Sequence, residues 1–220
     1  MNIENKQKKY ENALKYEIFT KEEYGFAKSK IKKAEYIFDI GWHIWLFSQW
    51  CRNLNSNTQI HYFEPVKEFY NKAKNNIWND KNIILNNFWI SSHTGDWTLL
   101  LNHEKTMQSS KYTSFLNPKW IETGVNFKTL KDYLDLANIN KIDVLKLDIE
   151  WMEFEVFESR WKFELSKINN LIAEIHLLNS DMESQWNLIL PKIRLIFWDT
   201  QIINSSYDKR IFLIRCQKIS

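Results

Sequence analysis

The sequence predicts an α/β protein with an open, mostly parallel sheet of seven strands. Two observations lead to this class. Short apolar runs that end in an acid or a histidine alternate with amphipathic helical segments, as expected of a parallel sheet covered by helices on both faces. The last two runs are joined by only a few residues, which favours an antiparallel hairpin at the C-terminus. In such sheets a ligand lies beyond the carboxyl ends of the strands.

Seven segments have the length and composition of buried strands. In chain order they are residues 36–39, 59–64, 82–85, 142–148, 171–176, 194–203 and 210–216. Residues 1–34 are charged and weakly amphipathic, and predict a helical lead-in that precedes a single domain over 35–220.

Helices are expected between the strands. Pro65 suits the first turn of a helix, and the apolar residues after it repeat at helical spacing: Val66, Phe69, Tyr70 and Ala73. The capping-box pattern at 129–132 opens a second helix, with an apolar face formed by Leu130, Tyr133, Leu134 and Ala137. A third helix begins at Ser180 and runs through Leu190, where Pro191 helps to end it.

The middle of the chain is the least regular. Residues 89–101 predict a loop and a short hairpin that turns at 94–96. Residues 102–124 are polar and irregular, and are the best candidate for a substrate-side insertion.

Composition restricts the class of partner. The net charge of +3 is too small to indicate nucleic acid, and no apolar run approaches the roughly 18 residues of a membrane span. The polar N-terminus has no signal-peptide core, which predicts a cytoplasmic protein. Cys51 and Cys216 are far apart and match no zinc or disulfide pattern, so we expect no metal.

The ratio of tryptophan to glycine is abnormal. The chain has 11 tryptophans and 4 glycines, whereas average usage would give roughly 15 glycines. The two counts together make 15. We hypothesise that many of the tryptophans are UGA codons, which some bacterial codes read as Trp and others as Gly. The alternative is a naturally Trp-rich protein.

The first strand ends in a turn suited to a cofactor. Asp39 can hold a polar part of a cofactor, and Gly41 can supply a tight turn. Position 45, here Trp45, is where bare backbone would approach the ligand. Glu64 ends the second strand, where a carboxylate can bind ribose hydroxyls. The alternative role for Glu64 is to cap the helix that begins near Pro65.

Two further strand ends carry polar side chains. Asp148 and Glu150 have the alternate spacing that points two carboxylates in one direction, although a solvated acidic turn would have the same pattern. His176 ends the fifth strand and is a candidate general base for a hydroxyl nucleophile; a purely structural histidine is the alternative.

Four motifs together resemble the FkbM-type S-adenosylmethionine-dependent methyltransferases, from about residue 35 to residue 177. They are Asp-Ile-Gly at 39–41, Phe-Glu-Pro at 63–65, Ile-Asp-Val-Leu-Lys-Leu-Asp-Ile-Glu at 142–150 and Glu-Ile-His at 174–176. The Thr-Leu-Lys-Asp helix start at 129–132 is also similar. The chain departs from the family pattern at Trp42, His43, Trp45 and Trp151, and glycine is the family residue at 45 and 151.

The resemblance implies a Rossmann-like class I methyltransferase fold and S-adenosylmethionine as the cofactor. The implied cofactor-binding residues are Asp39, Gly41, Trp45, Glu64, Asp148 and Glu150. It also implies methyl transfer to an oxygen of a sugar or natural product, so the partner is a small-molecule or glycan acceptor.

Three other functions compete with this interpretation. A non-catalytic remnant with a blocked cofactor pocket follows if all the tryptophans are real, because each indole at a glycine position costs about 1–3 kcal/mol in overpacking. A nicotinamide-dependent oxidoreductase is disfavoured because His43 occupies the second glycine position of the dinucleotide fingerprint. An RNA methyltransferase has no basic-aromatic patch to support it.

Overall fold

The structure is a computed structural model that describes residues 3–41, 45–77, 79–102, 109–110, 120–149, 153–158, 161–205 and 208–218. Trp42, His43, Glu150 and Trp151 lie outside the described residues. The strands are β1 (Tyr36–Gly41), β2 (Gln59–Phe63), β3 (Ile83–Asn86), β4 (Trp89–Ile90), β5 (Gly95–Asn102), β6 (Ser109–Ser110), β7 (Trp120–Lys128), β8 (Ile142–Asp148), β9 (Ile168–His176), β10 (Asp199–Asn204) and β11 (Ile211–Gln217).

Helices connect most of these strands. The α-helices are α1 (Ile3–Lys15), α2 (Lys28–Ile31), α3 (Leu46–Leu54), α4 (Lys67–Ile77), α5 (Leu130–Ala137), α6 (Glu153–Glu158), α7 (Trp161–Ser166) and α8 (Ser180–Ile196). A π-helix at Tyr16–Thr20 and a 3₁₀-helix at Gly25–Ala27 join α1 to α2. None of the helices in the described residues is long and apolar enough to cross a membrane.

The main sheet has seven strands in the order β10-β11-β9-β8-β1-β2-β3. Its central pairs are parallel, and β11 pairs antiparallel with both β9 and β10. This confirms the predicted class: a mostly parallel seven-stranded sheet that ends in an antiparallel hairpin. Because β1 lies between β2 and β8, the carboxyl ends of these three strands meet at one edge of the sheet.

A second sheet of four strands has the order β4-β7-β5-β6. Its longest pairing joins β5 to β7, from Gly95 opposite Phe127 to Asn102 opposite Trp120. The prediction of a short hairpin within 89–101 was therefore wrong, since β5 pairs with β7, which begins inside the segment 102–124 that was expected to be irregular. Each strand needs a distant partner to form, and local turn signals do not reveal it.

The end of α8 also differs from the prediction. The helix continues through Pro191 to Ile196, so residues 194–196 are helical and not part of a strand. Ile193 and Phe197 are fully buried, and their packing favours the continued helix over the break that proline would otherwise cause. The side-chain cap is Asn179, whose Oδ1 accepts a hydrogen bond from the Met182 amide at 2.9 Å, one residue before the predicted position.

Two buried clusters cover opposite faces of the main sheet. The larger core contains Phe38 and Leu145 from the sheet, together with residues of α5, α6 and α8. The smaller core joins Ile37 and Val144 to α3 and to the segment from Ile18 to Ala34. Residues within the predicted helical lead-in thus complete one face of the sheet, with Ile31 fully buried.

Candidate active site

The candidate site lies at the carboxyl ends of β1, β2 and β8. Gly41 is opposite Asp148 in the parallel register of β1 and β8, and Ile40 is opposite Phe63 in the register of β1 and β2. Glu64 follows Phe63 directly. Three predicted site residues, Gly41, Glu64 and Asp148, therefore lie along one edge of the sheet. Each lies at or just after the end of a buried strand that is visible in the sequence.

Asp39 connects β1 to the start of α3. Its carboxylate is buried, and Oδ2 accepts hydrogen bonds from the Ser48 hydroxyl at 2.6 Å and from the Ser48 amide at 3.2 Å. Burial raises the pKa of Asp39, although Lys146 and Ser48 act in the opposite direction. Asp39 thus stabilises the first turn of α3 by accepting hydrogen bonds from Ser48. The sequence did not reveal this contact.

Gly41 is required by a close approach of β8 to β1. A Cβ atom at this position would lie 2.6 Å from the Asp148 carbonyl oxygen and 2.9 Å from Nζ of Lys146. Real Cβ atoms do not approach backbone oxygen so closely, so a side chain would force the strands apart. The need for glycine comes from this approach, because Gly41 is not among the residues with positive φ.

Trp45 immediately precedes α3, at its N-cap position. Its φ of −42° and ψ of 20° lie outside the left-handed region, so the backbone does not demand glycine at this position. The side chain is partly buried, and it makes no capping hydrogen bond to the helix. Any requirement for glycine at 45 therefore depends on the space that a ligand needs and not on backbone conformation.

Glu64 is fully buried at the end of β2. Its Oε1 accepts a hydrogen bond of 2.8 Å from the amide of Val66. Its backbone carbonyl and that of Pro65 each accept a bond of 2.9 Å from the Asn87 side chain. One carboxylate oxygen thus binds the chain just before the first residue of α4, and the helix-capping role stays a prediction. The ribose-binding role stays a prediction.

Lys146 is the cation of the site among the described residues. Its Nζ lies 3.0 Å from Oδ2 of Asp148 and 3.9 Å from Oδ1 of Asp39. Burial would lower the pKa of Lys146, but the two carboxylates outweigh it and raise the pKa above its ordinary value. Burial would raise the pKa of Asp148, but Lys146 and His176 lower it further than burial raises it.

A further carboxylate lies beside Asp148 on β9. Leu147 is opposite Ala173, which brings Glu174 next to Asp148. Burial, and then the charge of Asp148, raises the pKa of Glu174 to about 8. A protonated Glu174 can donate a hydrogen bond to the ionised Asp148, so the two acids need not both be charged at neutral pH.

His176 and Glu153 form a buried pair at the end of β9. Nδ1 of His176 is 2.9 Å from Oε1 of Glu153, which begins α6; His176 is 4% exposed and Glu153 is fully buried. A carboxylate at Nδ1 fixes the ring orientation and stabilises the protonated imidazole, an arrangement used by general bases. Sequence reasoning proposed His176 but missed Glu153.

The N-terminal segment closes one side of this edge. Tyr24 packs edge-on against Phe47 of α3, with ring centroids 5.1 Å apart. Burial raises the pKa of the Tyr24 phenol well above its ordinary value, and nearby carboxylates, which include Glu23 and Asp148, raise it further. The segment before α2 therefore lies close to the acidic cluster formed by Asp39, Asp148 and Glu174.

A cavity of about 200 Å³ lies elsewhere, between the N-terminal segment and the outer half of the sheet. Its lining includes Phe26, Lys30, Asn170 and Arg215. These residues lie near the amino end of β9 and the carboxyl end of the antiparallel β11, remote from Glu64 and His176. The cavity thus does not coincide with the site predicted from the sequence.

The residues at the strand ends suit a nucleoside cofactor with a charged amino-acid tail. The buried carboxylates of Asp39 and Glu64 and the partly buried carboxylate of Asp148 match the ribose hydroxyls and amino group of S-adenosylmethionine. The space kept free of a Cβ at Gly41 allows backbone to approach closely. The donor set therefore fits the cofactor that the resemblance implies.

Comparison with family models identifies the class of protein. A family model described as the methyltransferase FkbM domain matches residues 39–201, most of the chain. A search of curated proteins finds no significant match.

Solved structures share the fold at very low sequence identity. A Streptococcus mutans protein named as a methyltransferase, in complex with SAH, is 7% identical with a TM-score of 0.52; the match covers 89% of this chain and 97% of that one. A Clostridium thermocellum protein named as an rRNA methylase is 7% identical with a TM-score of 0.53, over 89% and 95% of the two chains. A SAM-dependent O-methyltransferase from Thermotoga maritima is 11% identical with a TM-score of 0.51, over 90% and 65%. These likenesses establish the Rossmann-like class I methyltransferase fold.

Proposed function

Because the chain belongs to the FkbM family of methyltransferases, we propose that it transfers a methyl group to a hydroxyl oxygen of a sugar or natural product. S-adenosylmethionine is the cofactor of the family, and when bound it supplies an electrophilic methyl group.

Asp39, Gly41, Glu64 and Asp148 would hold the cofactor. The carboxylates at 39 and 148 lie on adjacent strands on either side of the Lys146 ammonium, and suit a cationic amino group or hydroxyl donors. Glu64 lies at the end of the next strand, where ribose hydroxyls can donate to a carboxylate. Position 45 and Glu150 complete the proposed set.

The observation that carries the proposal of hydroxyl methylation is the buried pair of His176 and Glu153. A hydroxyl must lose its proton as its oxygen is methylated, whereas a thiolate or an unprotonated amine needs no such base. Since Nδ1 faces Glu153, Nε2 is the atom that would accept this proton. Glu153 would then stabilise the imidazolium that forms.

An acceptor screen tests the proposal. The purified chain is incubated with methyl-labelled S-adenosylmethionine and a panel of sugar glycosides, phenols and aliphatic alcohols, and SAH release is measured. We expect turnover with at least one hydroxyl acceptor, and a loss of about 10²–10⁴-fold in His176→Ala, the usual contribution of a general base. His93→Ala is the comparison variant, because the His93 ring packs against Trp97 and Phe127 of the second sheet.

Two outcomes would contradict the proposal. Methylation of ribosomal RNA, with no turnover on any small hydroxyl compound, would show that the acceptor is a nucleic acid and not a sugar or natural product. An absence of SAH binding by the wild-type chain would favour a non-catalytic remnant of the fold, with Trp45 in the space of the cofactor.

A further inference from the structure

Lys146 occupies an unusual place for a lysine. It lies in the middle of the main sheet, on β8 opposite Asp39 of β1, and its side chain is only 9% exposed. Lysine is rarely buried unless its charge is paired. Burying an ammonium is costly, so a role beyond chain packing is expected at this position.

Its ammonium group joins the two carboxylates at the site. Nζ is 3.0 Å from Asp148 and 3.9 Å from Asp39. It is also 2.9 Å from the position that a Cβ atom at residue 41 would occupy. A larger residue at 41 would displace it. The absence of a side chain at Gly41 therefore permits both the close approach of β1 to β8 and the position of the Lys146 ammonium.

The two carboxylates depend unequally on this cation. Lys146 and His176 hold the pKa of Asp148 below its ordinary value in spite of burial, whereas burial still raises the pKa of Asp39. The side chain of Asp148 lies closer to Nζ and is 21% exposed, against 5% for Asp39, so the cation acts on it more strongly and burial acts on it less. Without a cation between them, the buried carboxylate of Asp39 and the partly buried carboxylate of Asp148 would share a proton, as like charges in one site do.

We propose that Lys146 is a positioning residue that keeps Asp39 and Asp148 ionised together, and thereby sustains cofactor affinity at neutral pH. The proposal rests on the cofactor site described above. Lys146 acts through the two carboxylates, which the cofactor's amino group and hydroxyls need as acceptors.

Other titratable groups face the cluster and contribute to its pH dependence. They are Glu174 and His176 on β9, and Glu23 and Tyr24 in the N-terminal segment. Glu174, with a pKa of about 8, titrates within the pH range of the experiment. The affinity is therefore compared between variants at each pH, and the comparison is repeated in a Glu174→Gln background, where this titration is absent.

The experiment measures SAH binding by calorimetry for the wild type and Lys146→Met from about pH 6 to about pH 9. Without the lysine, one carboxylate is protonated at the lower pH and regains its charge as pH rises. We expect Lys146→Met to bind about tenfold or more weakly near pH 6, the effect of one pKa unit, and to approach the wild type near pH 9. Lys146→Arg keeps the charge and should keep the wild-type profile.

Lys141→Met is the matched control. Lys141 lies just before the other end of the same strand, is 56% exposed, and pairs with Asp143 at 3.2 Å. Its removal should leave SAH affinity unchanged at every pH. Thermal unfolding of each variant separates a loss of binding from a loss of fold.

The double variant Lys146→Met/Asp148→Asn keeps the test valid if the single variant does not fold, because it removes one charge of each sign. We expect it to bind SAH no more weakly than Asp148→Asn alone, as required if the lysine acts through that carboxylate. Equal or tighter binding by Lys146→Met near pH 6, or additive losses in the double variant, would overturn the inference. A wild type that binds no SAH would instead refute the proposed function.

Discussion

The Ser48 hydroxyl donates a 2.6 Å hydrogen bond to Oδ2 of Asp39, and both residues are buried. This contact joins the end of β1 to the first turn of α3, and the Ser48 amide donates to the same oxygen at 3.2 Å. The residue expected to bind the cofactor is thus also a structural link between a strand and a helix.

Ser48→Ala should therefore destabilise the fold. The substitution leaves a buried carboxylate with one partner fewer, and a hydrogen bond to a charged group contributes about 1.5–3 kcal/mol. Urea unfolding measures the change. Ser184→Ala, which removes a hydroxyl from the exposed face of α8, should change the free energy of unfolding by less than about 0.5 kcal/mol. Equal effects of the two substitutions would contradict the role of Ser48.

Gly41→Ala tests the close approach of β1 and β8. The added Cβ would lie 2.6 Å from the Asp148 carbonyl oxygen, and relief of such overpacking costs about 1–3 kcal/mol. We expect a lower free energy of unfolding and weaker SAH binding, because Lys146 must also move. Gly124→Ala on β7 is the control, since nothing lies within 4 Å of its added Cβ. A neutral Gly41→Ala would show that the strands are not tightly apposed there.

Glu174 predicts a definite pH dependence of stability. Its pKa of about 8 in the folded protein is above the ordinary value of 4.5, so the folded state retains a proton that the unfolded state has lost between these values. Glu174 therefore lowers stability progressively as pH rises from about 4.5 to about 8. Below 4.5 both states carry the proton, and the effect is absent.

Glu174→Gln removes this titration. The free energy of unfolding of the variant, relative to that of the wild type, should rise between about pH 5 and about pH 8, by at most about 1.4 kcal/mol for each pH unit. Denaturant unfolding at several pH values provides the measurement. Glu68→Gln, at an exposed position of α4, should give a curve parallel to the wild type; a parallel curve for Glu174→Gln would contradict the assignment.

The tryptophan positions lead to a prediction about the native protein. We expect glycine at 45 and 151, where the family pattern has glycine, and tryptophan at 89 and 186. Trp89 is 2% exposed and Trp186 is 6% exposed, and Trp186 packs against Phe212 at 5.2 Å in the larger core. Glycine at these two positions would leave large cavities. Tandem mass spectrometry of the protein from its own host distinguishes the residues, and tryptophan at 45 and 151 would refute recoding at these positions.

The parts of the fold that the sequence predicted are those with strong local signals. β8 was predicted at its observed bounds because its apolar run is buried on both faces. The Thr129 cap was predicted from its pattern, and its side chain accepts a hydrogen bond from the Asp132 amide at 3.0 Å. The second sheet escaped prediction, since β5 finds its partner across a long connection. The extension of α8 through Pro191 also depends on tertiary packing.

Some residues of the candidate site could be predicted from local sequence signals, and others could not. The strand-end residues Asp39, Glu64 and His176 were visible because each follows an apolar run. Their partners were not, because Ser48 and Glu153 reach them only through the packing of α3 and α6 against the sheet. The buried ion pairs of Lys146 likewise require the register of β1 and β8, which no local pattern specifies.

A crystal structure of the chain with SAH tests the central claim most directly. We predict the nucleoside at the carboxyl ends of β1 and β2, with its ribose hydroxyls at Glu64 and its amino-acid tail toward Asp39 and Asp148. A structure in which the indole of Trp45 fills that space, or in which SAH binds at another place on the chain, would contradict the account.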